Sequence, residues 1–140
     1  TSMGGLIYFW TFADEEFVGV TRGKSYFTAQ LAPGEHVLWS KAENVAAVKL
    51  TVEAGRTYYV IERVVPGFGK ARVRLDVVDA AEGEKALKKI KRKLVATDEA
   101  KARAPELVKR HVTLARKRAA GDESEQPEEN EAPPGEEEEK

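Results

Sequence analysis

Cysteine is absent from the 140-residue chain. Its absence excludes disulfides, thiolate metal sites, nucleophilic thiols and an acylated cysteine within the given sequence. A long apolar run is also missing, because the apolar stretch at residues 6–12 falls far short of the roughly 20 residues that span a bilayer. That stretch also lacks the basic start and the small-residue cleavage site of a signal peptide. The sequence as given therefore predicts no disulfide framework and no signal peptide.

Histidine is scarce, and only His36 and His111 carry side chains that titrate near neutral pH. His36 follows a turn at Pro33 and Gly34, where hydrogen bonding to the turn backbone is favoured over catalysis. His111 falls on the mixed face of a predicted helix and is predicted to be a packing residue. Two histidines without cysteine or suitably spaced carboxylates predict no zinc site. The sequence thus predicts a non-enzymatic protein with no catalytic residue, metal or cofactor.

Charge is strongly segregated along the chain, although the formal net charge is only −1. Thirteen basic residues but only three acids lie between Lys85 and Arg118. From Asp122 onward there are ten acids and a single basic residue, Lys140. This distribution predicts three segments: a β-sandwich domain over residues 1–79, a basic helical extension over residues 80–119 and an acidic tail over residues 120–140.

Short segments with strand-like patterns, separated by glycine and proline turns, dominate the first segment. Residues 48–52 alternate apolar and polar side chains, which is typical of a sheet with one buried face. Residues 24–31 show a similar alternation and are predicted to form a strand. Residues 57–65 are apolar on both faces for most of their length, which predicts a central or doubly covered strand. The predicted fold is mainly β, an antiparallel β-sandwich of about six or seven short strands with two C-terminal α-helices.

The hydrophobic period changes from strand-like to helical after Asp79. Asp79 and Glu82 have the spacing of a capping box, which predicts a helix start there; the alternative is a start at Glu84, because Gly83 would cost roughly 1 kcal/mol inside the helix. Leu87, Ile90 and Leu94 then fall on one helical face. The sequence therefore predicts a first helix that continues to Leu94 and packs on the sandwich.

A second helix is predicted to begin after Thr97, which has the character of an N-cap. Acidic residues in its first turn suit the positive end of the helix dipole. Pro105 lies within this helix, and because an interior proline costs about 3 kcal/mol, a kink or a fresh helix start is predicted there. The predicted apolar stripe comprises Ala100, Ala104, Leu107, His111, Leu114 and Ala115.

Residues 121–140 have no apolar periodicity, carry a high density of like charge and include three prolines. Such a composition cannot bury enough apolar surface to offset the entropy lost on ordering. The acidic tail is therefore predicted to be disordered.

Four segments carry a resemblance to a known family: FVG at 17–19, SYF at 25–27, LAPGEH at 31–36 and EAGRTYYV at 53–60. In this order and spacing they resemble the bacterial domain-of-unknown-function family numbered 2846. The resemblance covers residues 6–90. It implies a compact, lipoprotein-like β-sandwich, often found in a bacterial lipoprotein or envelope protein, with no established chemistry.

The resemblance also implies a location in the bacterial cell envelope or periplasm, while a cytoplasmic location stays open. Residues 1–5 resemble a vector-derived remnant, which predicts natural sequence upstream of the given chain. A membrane partner is accordingly expected only if a lipidated N-terminus precedes Thr1.

The leading functional hypothesis is an envelope-associated module that binds a protein partner or has a structural role. The alternative is that the basic helices at residues 85–118 bind nucleic acid or another anionic surface, regulated by the acidic tail; nucleic acid is the less favoured partner. Tyr59 is a candidate because Tyr58 and Tyr59 point to opposite faces of one strand, and Phe68 because it is predicted at a turn tip. The predicted partner-binding residues are Tyr59, Phe68, Lys88, Lys89, Arg92 and Arg110.

Overall fold

The computed structural model describes residues 8–66, 71–121 and 136–139. The fold is mainly β, as the sequence predicts. The elements follow in this order: β1 (Tyr8–Ala13), β2 (Glu16–Arg22), β3 (Ser25–Tyr26), β4 (Gly34–Lys41), β5 (Val45–Val52), β6 (Tyr59–Pro66), β7 (Ala71–Val78), α1 (Ala80–Lys89), β8 (Arg92–Ala96), α2 (Asp98–Ala119) and β9 (Glu136–Glu139).

The central layer is a four-stranded antiparallel sheet in the order β2-β1-β4-β5. Helix α2 covers one face of this sheet and forms a core with its aromatic side chains. The rings of Phe12 and Trp39 stack with their centroids 4.1 Å apart. Trp10 and Trp39 are buried, and Ala104 and Leu107 of α2 belong to the same cluster. The burial of α2 on this face confirms its predicted apolar stripe.

The antiparallel hairpin formed by β6 and β7 is a separate two-stranded sheet that covers the other face. Val73 of β7 packs there with Phe9 and Ala42. The side-chain amide of Asn44 fastens the hairpin to the four-stranded sheet, because its Nδ2 donates to the Val73 carbonyl at 3.1 Å and its Oδ1 accepts from the Val73 amide at 2.6 Å. The molecule is therefore layered as helix, sheet and hairpin.

A third sheet has the order β3-β8-β9. Strand β3 pairs in parallel with β8 at two positions only, Ser25 with Arg92 and Tyr26 with Lys93. Strand β9 pairs antiparallel with the opposite edge of β8, from Lys93 opposite Glu139 to Ala96 opposite Glu136. Strand β8 is therefore the middle strand of this sheet.

Two capping predictions and one strand pattern are confirmed. Asp79 is the N-cap of α1 and accepts from the Glu82 amide at 2.9 Å, and Thr97 is the N-cap of α2 and accepts from the Ala100 amide at 3.2 Å. Strand β5 buries Leu50 and Val52 while Lys49, Thr51 and Glu53 are exposed. These signals are local, so the sequence alone defines them.

One strand prediction is wrong, and one of the two alternatives predicted for another strand is excluded. The predicted strand at residues 24–31 is a strand only at Ser25–Tyr26. After Tyr26 the Phe27 ring packs against Gly19, where an added Cβ would lie 2.5 Å from the nearest ring atom. Residues 57–65 are predicted to be a central or doubly covered strand; β6 is not central, because it belongs to a two-stranded sheet, but its two faces meet the four-stranded sheet and α1. Its second apolar face is explained in part by Tyr59, which packs against Gly83 of α1.

The helical extension also differs from its prediction. Helix α1 ends at Lys89, and Leu94 is a buried residue of β8 rather than part of a helical face. Pairing with strands on both edges overrides the helical spacing. Helix α2 is continuous through Pro105, so no fresh start occurs there. The buried neighbours Ala104 and Leu107 provide packing that offsets the missing backbone hydrogen bond.

The prediction that the whole acidic tail is disordered is wrong for Glu136–Glu139, which forms β9. Residue 121 is described as a turn, and the remaining tail positions lie outside the described residues. Backbone pairing with β8 supplies hydrogen bonds that composition alone cannot predict.

Candidate functional site

The carboxylate of Glu62 lies between the four-stranded sheet and the β6–β7 hairpin. Three hydroxyl groups from three adjacent strands converge on it. Thr11 of β1 donates to Oε2 at 2.5 Å, Thr21 of β2 donates to Oε1 at 2.5 Å, and Ser40 of β4 donates to Oε2 at 3.1 Å. All three hydroxyl-bearing residues are buried. The two sheets therefore meet at a polar cluster inside an otherwise apolar interface.

The strand register explains why these hydroxyls meet. Thr11 is directly opposite Ser40 in the β1–β4 pair, and Thr21 is opposite Phe9, two positions along β1 from Thr11. Alternating side chains of a strand share one face, so the three hydroxyls lie side by side. Glu62 projects toward them from β6, opposite Leu75 in the hairpin.

Burial changes the ionisation of this carboxyl. Part of the Glu62 residue keeps solvent exposure, but its carboxylate is enclosed. Desolvation raises the pKa of Glu62 above its ordinary value, because burial penalises the charged form, and the three hydroxyl hydrogen bonds oppose this rise without cancelling it. The cluster therefore favours a protonated carboxyl.

A second polar cluster closes the end of the sandwich near the β1–β2 turn. Asp14 adopts a positive φ of 55°, and its Oδ1 accepts from the Val37 amide at 2.9 Å. His36 places Nδ1 at 2.7 Å from Asp14 Oδ2 and Nε2 at 2.7 Å from the Ala32 carbonyl. This confirms the prediction that His36 bonds the turn backbone.

The two nitrogens of His36 both face oxygen acceptors, which suits an imidazolium. The Ala32 carbonyl first, and the Asp14 carboxylate next, raise the pKa of His36. Burial alone would raise the pKa of Asp14, but the Val37 amide and His36 together lower it. Both pKa shifts favour the charged forms, and the pair is a structural clamp in which both ring nitrogens of His36 are engaged.

Strand β8 offers the clearest surface for recognition. It accepts β9 over four residues along one edge, while β3 pairs with only two residues of the other edge. Beyond Tyr26 the chain diverges from β8 and leaves a groove of about 470 Å³. The groove is lined by the β2 segment around Phe17, by Phe27, and by Lys93 and Lys101. Aromatic surface and cationic side chains thus lie beside a strand that accepts pairing.

The structure distributes the sequence-predicted partner residues over several surfaces. Tyr59 is half-buried against α1, and its hydroxyl lies 3.4 Å from Glu84 Oε2. Lys88 and Lys89 are exposed in the last turn of α1, and Arg110 is exposed on α2. Arg92 is the first residue of β8. Of the predicted partner residues that the structure describes, it is the one that belongs to the β8 surface, which comprises Arg92–Ala96 and the groove beside them. Phe68 lies outside the described residues.

Sequence reasoning missed Glu62, although a signal was present. Glu62 is the one acid in residues 57–65, a strand whose side chains are apolar on both faces for most of its length. Its three hydroxyl partners come from distant parts of the chain, and only the register of three strands brings them together. The β8 surface was also missed, because residues 92–94 were assigned to the end of a helix.

Comparisons with family models, curated proteins and solved structures found no match for the chain. The resemblance described above therefore stays a prediction. Within residues 8–66, 71–121 and 136–139, no helix has the length and apolarity to cross a membrane. The same described residues contain no group of three or more histidine, aspartate or glutamate side chains arranged to hold a metal.

Proposed function

We propose that the protein is a non-enzymatic interaction module that binds an extended, acidic segment of a partner protein by strand addition to β8. The observation that carries this proposal is the antiparallel pairing of β8 with Glu136–Glu139. In strand addition, main-chain hydrogen bonds provide affinity, and neighbouring pockets provide specificity. The groove beside Phe27 lies on the β3 side of β8, which is the edge opposite the one that Glu136–Glu139 occupies.

Charge explains why an acidic segment fits this edge. A run of four glutamates has low strand propensity, and its like charges repel one another. Basic residues near the edge that it joins are therefore needed to offset this repulsion. Lys91, Arg92 and Lys93 stand at the beginning of the β8 region. A partner segment that is extended and acidic would meet the same basic surroundings.

The tail of the chain is then a competitor of the partner. A segment joined to its site by a linker acts at an effective concentration in the millimolar range for short flexible linkers. A partner therefore binds well only when it displaces Glu136–Glu139. This arrangement supports a module whose access is controlled by its own tail.

The test uses the full chain with a double substitution in the tail, Glu137→Pro with Glu138→Pro. Proline lacks the backbone N–H that a ladder needs, so this variant should leave β8 open. The matched control, Glu137→Gln with Glu138→Gln, removes the same two charges and keeps both N–H groups. The probe is a fluorescein-labelled synthetic peptide that copies residues 130–140, and fluorescence anisotropy measures its binding.

We expect the peptide to bind the proline variant about tenfold or more tightly than either the natural chain or the glutamine control. Binding should weaken between low and high salt, because exposed charges are screened. A copy of the peptide with prolines at the two positions should bind poorly. Equal affinity of all three proteins, or no binding by the open variant, would contradict strand addition.

The cellular setting is also a proposal, supported by the family resemblance alone. We propose that the module works at the bacterial cell envelope. Fractionation of cells that express the protein from its natural locus tests this, because an envelope protein partitions with membrane or periplasmic fractions. Recovery only with cytoplasmic proteins would contradict it.

A second candidate function is binding of nucleic acid or an anionic membrane surface through the basic helices, regulated by the acidic tail. Its support is that Lys88, Lys89, Lys109 and Arg110 are exposed. A labelled 20-base-pair duplex and vesicles with anionic lipid are the probes. Binding that falls steeply with salt and is lost in Lys109→Glu with Arg110→Glu would support this function, and absence of binding at low salt would exclude it.

A further inference from the structure

Glu62 and its hydroxyl partners have no part in strand addition at β8. They occupy the interface through which the β6–β7 hairpin docks on the four-stranded sheet. Thr11, Thr21 and Ser40 belong to three strands of that sheet, whereas Glu62 belongs to the hairpin. The cluster is thus a polar fastening between two layers that share no strand pairing among the described residues.

The hydroxyl groups around Glu62 can accommodate the carboxyl in its protonated form. An ionised carboxylate only accepts hydrogen bonds, whereas a neutral carboxyl also donates one. Each hydroxyl can rotate to accept as well as donate, so the cluster can accommodate either form of Glu62. Desolvation decides between the two forms, because an enclosed negative charge without a cation beside it is costly.

Among the residues that the structure describes, the interactions of the Glu62 carboxyl are with neutral hydroxyl groups and include no cationic side chain. The strands that face Glu62 present the hydroxyls of Thr11, Thr21 and Ser40 and, from β7, the apolar side chain of Leu75. The titratable side chain on the same face of β4 is His36, four residues from Ser40, and it is engaged with Asp14. Strand alternation places Arg22 and Lys41 on the opposite face of the sheet from the neighbouring Thr21 and Ser40.

We propose that Glu62, Thr11, Thr21 and Ser40 form a proton-binding site that controls how firmly the β6–β7 hairpin docks on the sheet. The hairpin is fastened while the Glu62 carboxyl carries a proton and loosens when the proton leaves. Loosening uncovers the apolar face that includes Phe9 and Ala42. The Asn44 amide holds Val73 at every pH, so the hairpin stays tethered there.

The sign of the pH dependence follows from linkage. An acid whose pKa is raised in the docked state contributes full docking strength below its ordinary pKa, about 4.5. The contribution of the Glu62 proton to docking falls as the pH rises from that value to the raised pKa of the docked state. Above the raised pKa, the docking strength no longer changes with pH. Between these limits, the opening equilibrium changes about tenfold per pH unit for one proton.

The test is amide hydrogen exchange of the full chain between pH 4 and pH 8, corrected for intrinsic exchange rates. In the natural chain, protection of β6 and β7 amides should fall about tenfold per pH unit above pH 4.5 and then level off. Glu62→Gln keeps a neutral group of the same shape, so its hairpin protection should lack this dependence. Asn44→Ala is the matched control, because it should lower hairpin protection by a similar factor at every pH.

A second measurement does not depend on the folding of any variant. Carbon-13 labelling of glutamate carboxyl groups in the natural chain allows each carboxyl to be titrated by NMR. We expect the Glu62 resonance, assigned through bonds from its backbone, to titrate above pH 4.5. Hairpin protection that does not vary with pH, or a Glu62 carboxyl that titrates at its ordinary value, would overturn the proposal.

Discussion

Glu62 and Asp14 are two carboxyl groups of one sandwich whose surroundings move their pKa values in opposite directions. Desolvation dominates at Glu62, whose partners are three neutral hydroxyls. At Asp14 a backbone amide and the facing His36 outweigh the effect of burial. A backbone N–H donor together with a cationic partner therefore separates a carboxyl that favours the ionised form from one that favours the neutral form.

The Asp14 and His36 pair predicts a pH-dependent stability of its own. Because the pKa of His36 is raised in the folded state, its stabilising effect is complete below the ordinary value of 6.5 and is lost as pH rises through the raised value. His36→Ala should thus lower the free energy of unfolding by about 1 kcal/mol more at pH 5 than at pH 9. Urea denaturation of both proteins at the two pH values measures this, and an equal loss at both would contradict it.

The close contact between Gly83 and Tyr59 predicts the effect of a substitution at Gly83 on stability. In an exposed helix Gly83→Ala would stabilise by about 1 kcal/mol, but a Cβ here would overlap the Tyr59 ring. Overpacking of this kind costs about 1–3 kcal/mol, so we expect a net loss of stability in urea denaturation. The control is the same substitution in a Tyr59→Gly background, where removal of both the ring and the Cβ of residue 59 should make alanine stabilising. A gain in both backgrounds would contradict the close contact.

At the scale of elements, local signals were readable from the sequence and tertiary pairings were not. The caps at Asp79 and Thr97 depend on residues three positions away. In β5, the alternation of apolar and polar side chains is enough to predict which face is buried. Strand β8 has no such signal, since the spacing of Leu87, Ile90 and Leu94 fits a helix. Pairing with β3 and β9, which are distant in sequence, decides its conformation.

Pro105 is a residue of helix α2 that we expect to destabilise the helix. Pro105 is exposed in a continuous helix, where it removes one backbone hydrogen bond and crowds the preceding turn. Pro105→Ala should therefore stabilise the protein by about 1–3 kcal/mol. We expect a higher urea midpoint with an unchanged m-value, whereas Glu106→Ala at the neighbouring exposed position should change stability by about 0.5 kcal/mol or less. A lower midpoint for Pro105→Ala would contradict the continuous helix.

At the scale of the whole molecule, composition predicted the mainly β fold and its two helices, and it separated the basic and acidic segments. It did not predict where those segments meet. The basic residues that begin β8 and the acidic Glu136–Glu139 are joined by strand pairing, which depends on the fold of everything between them. The proposed function rests on that pairing, because Glu136–Glu139 already pairs with the edge of β8 at which a partner would bind.

Amide hydrogen exchange of β8 in the full chain tests this claim most directly. The natural chain, the Glu137→Pro with Glu138→Pro variant and the matched glutamine variant are compared at one pH and low salt. We predict that amides of Arg92–Ala96 that face β9 lose protection in the proline variant and keep most of it in the glutamine variant. Equal protection of β8 in all three proteins would contradict the pairing and the function proposed from it.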